Sequence, residues 1–148
     1  MKPAIGPLAT IGYEADTLDG LIGRLKAAGV ETVVDVRAVA SSRRPGFSKT
    51  ILGDSLKAEG IDYVHLRPLG TPKAGRQAAR AGRIDQMREI FHACLAEPAA
   101  QAALGEATAL AREKRIALLC YEHEARCCHR AIVADEIRAR LTCEVVDL

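Results

Sequence analysis

Short apolar, often β-branched runs that alternate with stretches of helical period constrain this chain more than any other feature. LATIGY (Leu8 to Tyr13), ETVVDVR (Glu31 to Arg37), IDYVHLRPLG (Ile61 to Gly70), RIALLCYE (Arg115 to Glu122) and CEVVDL (Cys143 to Leu148) read as strands. Between them lie helical patterns. Leu18, Leu21, Ile22 and Leu25 share one face, capped by Asp16 or Thr17 and stopped at Gly29. Ile51, Leu52 and Leu56 follow a Pro45-Gly46 turn and a Ser48 cap, and end at Gly60. Ile84, Met87, Phe91 and Leu95 form another helix that Pro98 interrupts, and Ala100, Ala103, Ala107, Leu110 and Ala111 continue on a second. Val133, Ile137 and Leu141 mark the last. The order β-α-β-α-β-αα-β-α-β predicts an α/β fold: a single three-layer domain, with a mostly parallel sheet of about five strands and helices on both faces. The basic, small-residue segment from 70 to 83 is the expected mobile loop.

Length and charge narrow the class further. A chain of 148 residues can bury a real core. A net charge of +2 is too small to argue for nucleic acid on its own. Five cysteines, an odd number, do not look like a disulfide framework, so a reducing, cytoplasmic setting is expected. The opening MKPAIGPLAT makes a poor signal peptide. No run reaches the roughly 18 apolar residues of a membrane span.

In a parallel α/β sheet, ligands bind beyond the carboxyl ends of the strands, and the chemically versatile residues of this chain fall there. Tyr13 and Glu14 end the first strand, Asp35 and Arg37 the second, Arg67 the third, and Cys120 and Glu122 the fourth. The stretch from Cys120 to Arg130 puts Cys120, Glu122, His123, Cys127, Cys128, His129 and Arg130 into eleven residues. Cys127, Cys128, His129 and Arg130 are then expected to open a helix. Free N–H groups and a positive dipole end there favour anions and a thiolate at Cys128, with Cys127 sharing the argument. Asp35, Glu122, Cys128 and His129 are the expected acid, base or nucleophilic groups. Arg37, Arg43, Arg44, Lys49 and Arg130 are suited to an anion. Arg37 has an alternative as the partner of Asp35, and Arg43, Arg44 and Lys49 as solvated surface charges. Cys128 is not followed by the glycine-rich cradle of a phosphatase loop, which leaves it either an activated thiol or a structural one.

No cofactor is expected. If a metal such as zinc binds, Cys120, Cys128 and His129 are the candidate ligands, although the spacing lacks paired C-x₂-C units. Adjacent Cys128 and His129 would also diverge by about 100° on a helix. Cys94 and Cys143 read as core, His92 and His123 as exposed.

The runs TIGYE, VDVR, SSRRPGFSK and LLCYE…CHR together resemble the domain of unknown function 488 family, over nearly the whole chain. The resemblance implies a compact cytoplasmic α/β protein and supplies no reaction, cofactor or partner. It points to Tyr13, Asp35, Arg37, Ser42, Arg43, Pro45, Phe47, Cys120, Glu122, Cys128, His129 and Arg130. Rim position and resemblance together make Tyr13, Arg37, Ser42, Arg43, Phe47, Lys49, Arg67 and Arg130 the expected substrate contacts. The resulting expectation is a hydrolase or group-transfer enzyme for an anionic, phosphate-bearing small molecule or nucleic-acid end. The alternatives are a non-catalytic nucleotide or nucleic-acid binding module, whose basic surface would run from Arg43 to Arg83, and a Cys/His thiol or metal switch. No membrane partner is expected.

Overall fold

The computed structural model describes residues 6–125 and 128–148. Its strands, β1 (Leu8–Gly12), β2 (Thr32–Asp35), β3 (Asp62–His65), β4 (Ile116–Cys120) and β5 (Val145–Asp147), form one five-stranded sheet in the order β3-β2-β4-β1-β5. Every pairing is parallel. The α/β class and the helices on both faces are thus as the alternating pattern predicts, and the sheet, expected to be mostly parallel, is parallel throughout. β4 is central and pairs with β1 on one side and β2 on the other.

Side-chain alternation along the strands divides the interior into two halves. Ala9, Ile11, Val33, Ala117 and Leu119 face α1 (Leu18–Ala27) and α2 (Lys49–Ala58), where Leu21, Leu25, Leu52 and Leu56 are buried. Leu8, Val34, Ile116 and Leu118 face α4 (Ile84–Leu95), α5 (Pro98–Glu113) and α6 (Arg130–Leu141), which contribute Phe91, Leu104 and Ile137. Right-handed crossovers produce this split. Connections running outward from β1 to β3 cover one face, and those returning through β4 to β5 cover the other. Each fully buried Leu or Phe contributes about 1.5–3 kcal/mol.

Local chemistry sets the helix ends. Thr17 Oγ1 accepts the Gly20 N–H at 3.1 Å and caps α1. Asp16, the other expected cap, instead binds Arg24. Ser48 stands at the α2 N-cap without capping it. Its hydroxyl accepts the Ser42 N–H at 3.0 Å and donates to the Ser42 carbonyl at 3.2 Å, closing the preceding loop on itself.

Two expectations need correction. The segment from 70 to 83 is not a loop. A 3-10 turn over Arg67–Leu69 ends the third strand early, and α3 spans Lys73–Arg80. Lys, Arg, Gln and Ala are strong helix formers, and Ala78 and Gly75 are buried against the neighbouring helix. The last helix starts at Arg130 with His129 as its N-cap, so Cys128 precedes it. Among the described residues, no helix is long and apolar enough to cross a membrane.

Candidate functional site

The carboxyl ends of β1, β2 and β4 open into a cleft of about 1150 Å³. This is where such a sheet should bind: β1 and β2 send the chain to one face, and β4, between them, sends it to the other. Tyr13 and Glu14, Arg37, and Cys120 to Glu122 line it from the three strands, Arg43 and Arg44 from the loop after β2, Arg76 and Arg80 from α3. Cys128 and His129 line it from the entry to α6.

Two polar groups meet at this rim from opposite faces of the sheet. On the α1/α2 side, Arg37 and Asp35 form a buried ion pair with Nη2–Oδ2 at 2.7 Å and Nε at 2.9 and 3.1 Å from the two carboxylate oxygens. Tyr63 donates to the same carboxylate at 2.5 Å, and the Arg37 backbone N–H at 3.1 Å. Arg37 also donates to Tyr13 Oη at 3.1 Å and to the Phe47 carbonyl at 2.7 Å. Burial alone would lower the Arg37 pKa, but Asp35 outweighs it and keeps the guanidinium charged. Burial, reinforced by the charge of Asp35, pushes the Tyr63 phenol up. Asp35 has no exposed surface, accepts hydrogen bonds from three partners and does not line the cleft. Phe47 is likewise buried, stacked on Tyr13 with ring centroids 4.4 Å apart.

Arg44 folds over these two rings and donates to the carbonyls of Tyr13 (2.5 Å), Glu14 (2.8 Å) and Asp16. Ser42 Oγ accepts the Arg44 N–H at 3.1 Å. The loop after β2 is therefore pinned to the end of β1 by Arg37 and Arg44, and Ser42 shapes it. Arg43 and Arg80 remain exposed on the cleft with no hydrogen-bond or ion-pair partner among the described residues. Arg76 donates to the Thr71 carbonyl at 2.9 Å.

On the opposite side of β4 lies the sulfur cluster. His129 Nε2 is 2.6 Å from the Val36 carbonyl oxygen. A carbonyl can only accept, so Nε2 carries a proton and Nδ1 is turned to the thiols. Nδ1 lies 3.6 Å from Cys128 Sγ and 3.8 Å from Cys120 Sγ. Phe91 packs against the imidazole with centroids 5.0 Å apart. Cys128 Sγ also accepts the backbone N–H of Arg130 at 3.5 Å, so the thiol does sit over the first turn of α6. The expected divergence of Cys128 and His129 does not occur, because Cys128 lies outside the helix and both side chains point at one spot. Cys127 lies outside the described residues.

The charges in this cluster follow from its contacts. Burial would raise the Cys128 thiol, but the Cys120 S–H, the imidazolium of His129 and the charge of Arg130 hold it well below the usual range. Hydrogen bonding to Cys128 and burial push the Cys120 thiol well up. Burial lowers the His129 pKa, but the Cys128 thiolate overrides it and raises it. Burial and the Cys128 charge raise the Glu122 carboxyl, whose Oε2 lies 3.2 Å from Cys120 Sγ. These contacts favour the charged forms of Cys128 and His129 and the neutral form of Cys120. Cys120, Cys128 and His129 are also the group able to hold a metal ion among the described residues, with their donor atoms all within 4.8 Å of one another.

Arg130 is fully buried and donates to the carbonyls of Glu122 and, at 3.1 Å, His123, holding the loop after β4. Its Nε has no partner among the described residues. Gly12 makes that closure possible. A Cβ there would fall 1.7 Å from the Glu122 carbonyl oxygen and 3.1 Å from Arg130 Nη1. A glycine at a strand end is the sequence signal for such an approach; nothing in the sequence signals the Val36 carbonyl.

Of the expected site residues, the cleft therefore gathers Tyr13, Arg37, Ser42, Arg43, Glu122, Cys128 and His129, with Cys120 beside them. Arg130 and Phe47 support it from beneath. Lys49 lies in a different surface groove beside Asp54 and Tyr63, because it begins α2 and points away from the rim. Arg67, exposed in the 3-10 turn after the edge strand, is not among the cleft residues. His123 and His92 are exposed, and Cys94 and Cys143 half-buried.

A family model described as "Domain of unknown function DUF488" matches residues 17–137. No curated protein and no solved structure matches the chain.

Proposed function

The chain belongs to the DUF488 family, whose function is unknown, and we propose that it is a hydrolase or group-transfer enzyme acting on an anionic, phosphate-bearing substrate of about nucleotide size. One observation carries the reading. The Cys128–His129 pair lies on the wall of the same cleft that Arg43 and Arg80 line without partners among the described residues. An unpaired guanidinium at a cleft mouth is suited to a phosphate, and a thiol beside an imidazole is the usual form of an activated nucleophile.

In this reading Arg43 and Arg80 hold the phosphate. His129 Nδ1 holds the proton that Cys128 gives up, and Sγ attacks phosphorus. The P–O bond to the leaving group breaks, and the departing oxygen takes a proton from Glu122. Water, or an acceptor hydroxyl, then attacks phosphorus, returns a proton to Glu122 and releases Cys128 as thiolate. The Val36 carbonyl keeps the imidazole in the tautomer this requires.

The test is a panel of phosphomonoesters, phosphodiesters and nucleotides with the wild-type protein, Cys128→Ser, His129→Ala and the Arg43→Ala/Arg80→Ala double variant. The expectation is that Cys128→Ser abolishes turnover, His129→Ala slows it by about 10²–10⁴-fold, and the double variant raises KM. Full turnover by Cys128→Ser, or none by the wild-type protein across the panel, would overturn the reading.

A further inference from the structure

The sulfur cluster has a geometry that nucleophilic chemistry alone does not need. A nucleophile and its base require two groups, and here a second thiol, Cys120, converges on the same imidazole nitrogen. Both sulfurs approach Nδ1, at 3.6 Å and 3.8 Å, with all three donor atoms within 4.8 Å of one another. With Zn–S near 2.3 Å and Zn–N about 2.0–2.1 Å, a tetrahedral ion has N–S edges of about 3.5 Å and S–S edges of about 3.8 Å. The observed N–S separations lie near those edges, and the third separation, within 4.8 Å, would close by up to about 1 Å on binding.

Two further features fit a metal. His129 gives its Nε2–H to the Val36 carbonyl at 2.6 Å, the outer-sphere bond that fixes a metal-binding imidazole and leaves Nδ1 free to ligate. Two thiolates and a neutral imidazole would also balance a divalent cation, so the buried site would carry no net charge. All three side chains line the cleft, as does Glu122, whose Oε2 is 3.2 Å from Cys120 Sγ. A fourth position is therefore reached from the cleft, beside a carboxylate. Two soft sulfurs with one imidazole select zinc and its relatives over magnesium or calcium.

We infer that Cys120, Cys128 and His129 form a binding site for one thiophilic divalent cation, open to the cleft, and that its occupancy masks Cys128. The masking half rests on the function proposed above; the binding half does not. On binding, the Cys128 and Cys120 protons leave to solvent and the sulfur lone pairs are donated to the cation, so Sγ of Cys128 can no longer attack. The free protein holds the reactive thiol and the loaded protein is silent.

The experiment is a titration of chelator-treated, reduced full-length protein with Co(II), read by the near-ultraviolet thiolate-to-cobalt absorption and the visible bands of a tetrahedral ion. One equivalent should bind, Zn(II) should displace it, and Cys120→Ser and His129→Ala should each weaken binding by more than about 100-fold, beyond the loss of an outer-sphere partner. Stoichiometric Zn(II) should protect Cys128 from iodoacetamide and stop any turnover found. Because a variant can fail to fold, the wild-type protein alkylated with iodoacetamide is titrated in parallel and should give no thiolate–cobalt band. Absence of that band in the unmodified protein would overturn the site while leaving a thiol-dependent turnover intact. Turnover that rises with zinc would overturn the masking, and the nucleophile reading with it.

Discussion

Replacing Asp35 by Asn tests whether the buried ion pair on the α1/α2 side holds up the cleft. The amide keeps the shape of the carboxylate and removes its charge. Arg37 is 5% exposed and Asp35 not at all, so the guanidinium would be left as an uncompensated charge out of water. Breaking such a pair costs about 3–5 kcal/mol, against a total stability of about 5–15 kcal/mol for a domain. At about 2–4 °C per kcal/mol for this size, Tm should fall by roughly 6–20 °C. Tyr63→Phe removes one charge-assisted hydrogen bond and should cost about 1.5–3 kcal/mol. The chain has no Trp, so urea denaturation is best followed by far-ultraviolet circular dichroism. The decisive comparison is the cycle of Asp35→Asn, Arg37→Met and the double variant. The double should be less destabilised than the sum of the singles by about 0.5–3 kcal/mol. A loss below about 1 kcal/mol for Asp35→Asn, or strict additivity, would refute the argument that these groups are energetically one unit.

Gly12→Ala should displace the loop after β4, because its methyl would occupy the space of the Glu122 carbonyl; a crystal structure or amide chemical shifts that leave Glu122 and Arg130 in place would contradict this. In metal-free protein, iodoacetamide should label Cys128 ahead of Cys94 and Cys143 by peptide mass spectrometry at neutral pH. The Cys128 thiol is held low and those two are raised by burial. Its rate should therefore stay flat across neutral pH and fall only at lower pH, while theirs should climb above the ordinary thiol range. Amide hydrogen exchange should show protection at the amides within α3, Gln77 to Arg80 included, whereas exchange at the rate of an open loop would remove that helix from the native ensemble.

The fold was legible where one kind of signal acted alone. Val33 and Val34 are β-branched, lie in a short run and are buried from both sides, so the strand is written in the chain itself. The same holds for the rim, since parallel strands bring Tyr13, Arg37 and Glu122 to one edge whatever the details. What failed were places where two effects compete. Arg76 and Arg80 look like a solvated basic loop, but the alanines between them form a helix that docks through Ala78. Lys49 looks like part of an arginine-rich anion loop, but it opens a helix that turns it to another groove. The convergence of Cys128 and His129 was hidden because it depends on where α6 starts, a shift of three residues that sequence patterns do not resolve.

β4 is the centre of the sheet but the fourth strand to be synthesised. Until residue 120 has been made, β1 and β2 lack the neighbour that joins them, and their apolar edges have no partner in each other. The first three-quarters of a nascent chain therefore cannot close its core. The bond from His129 to Val36 spans 93 residues and forms later still, a long-range closure of the kind that slows folding. The contacts that hold the Cys128 thiol low, from Cys120, His129 and Arg130, come together only as the last part of the chain folds onto the sheet.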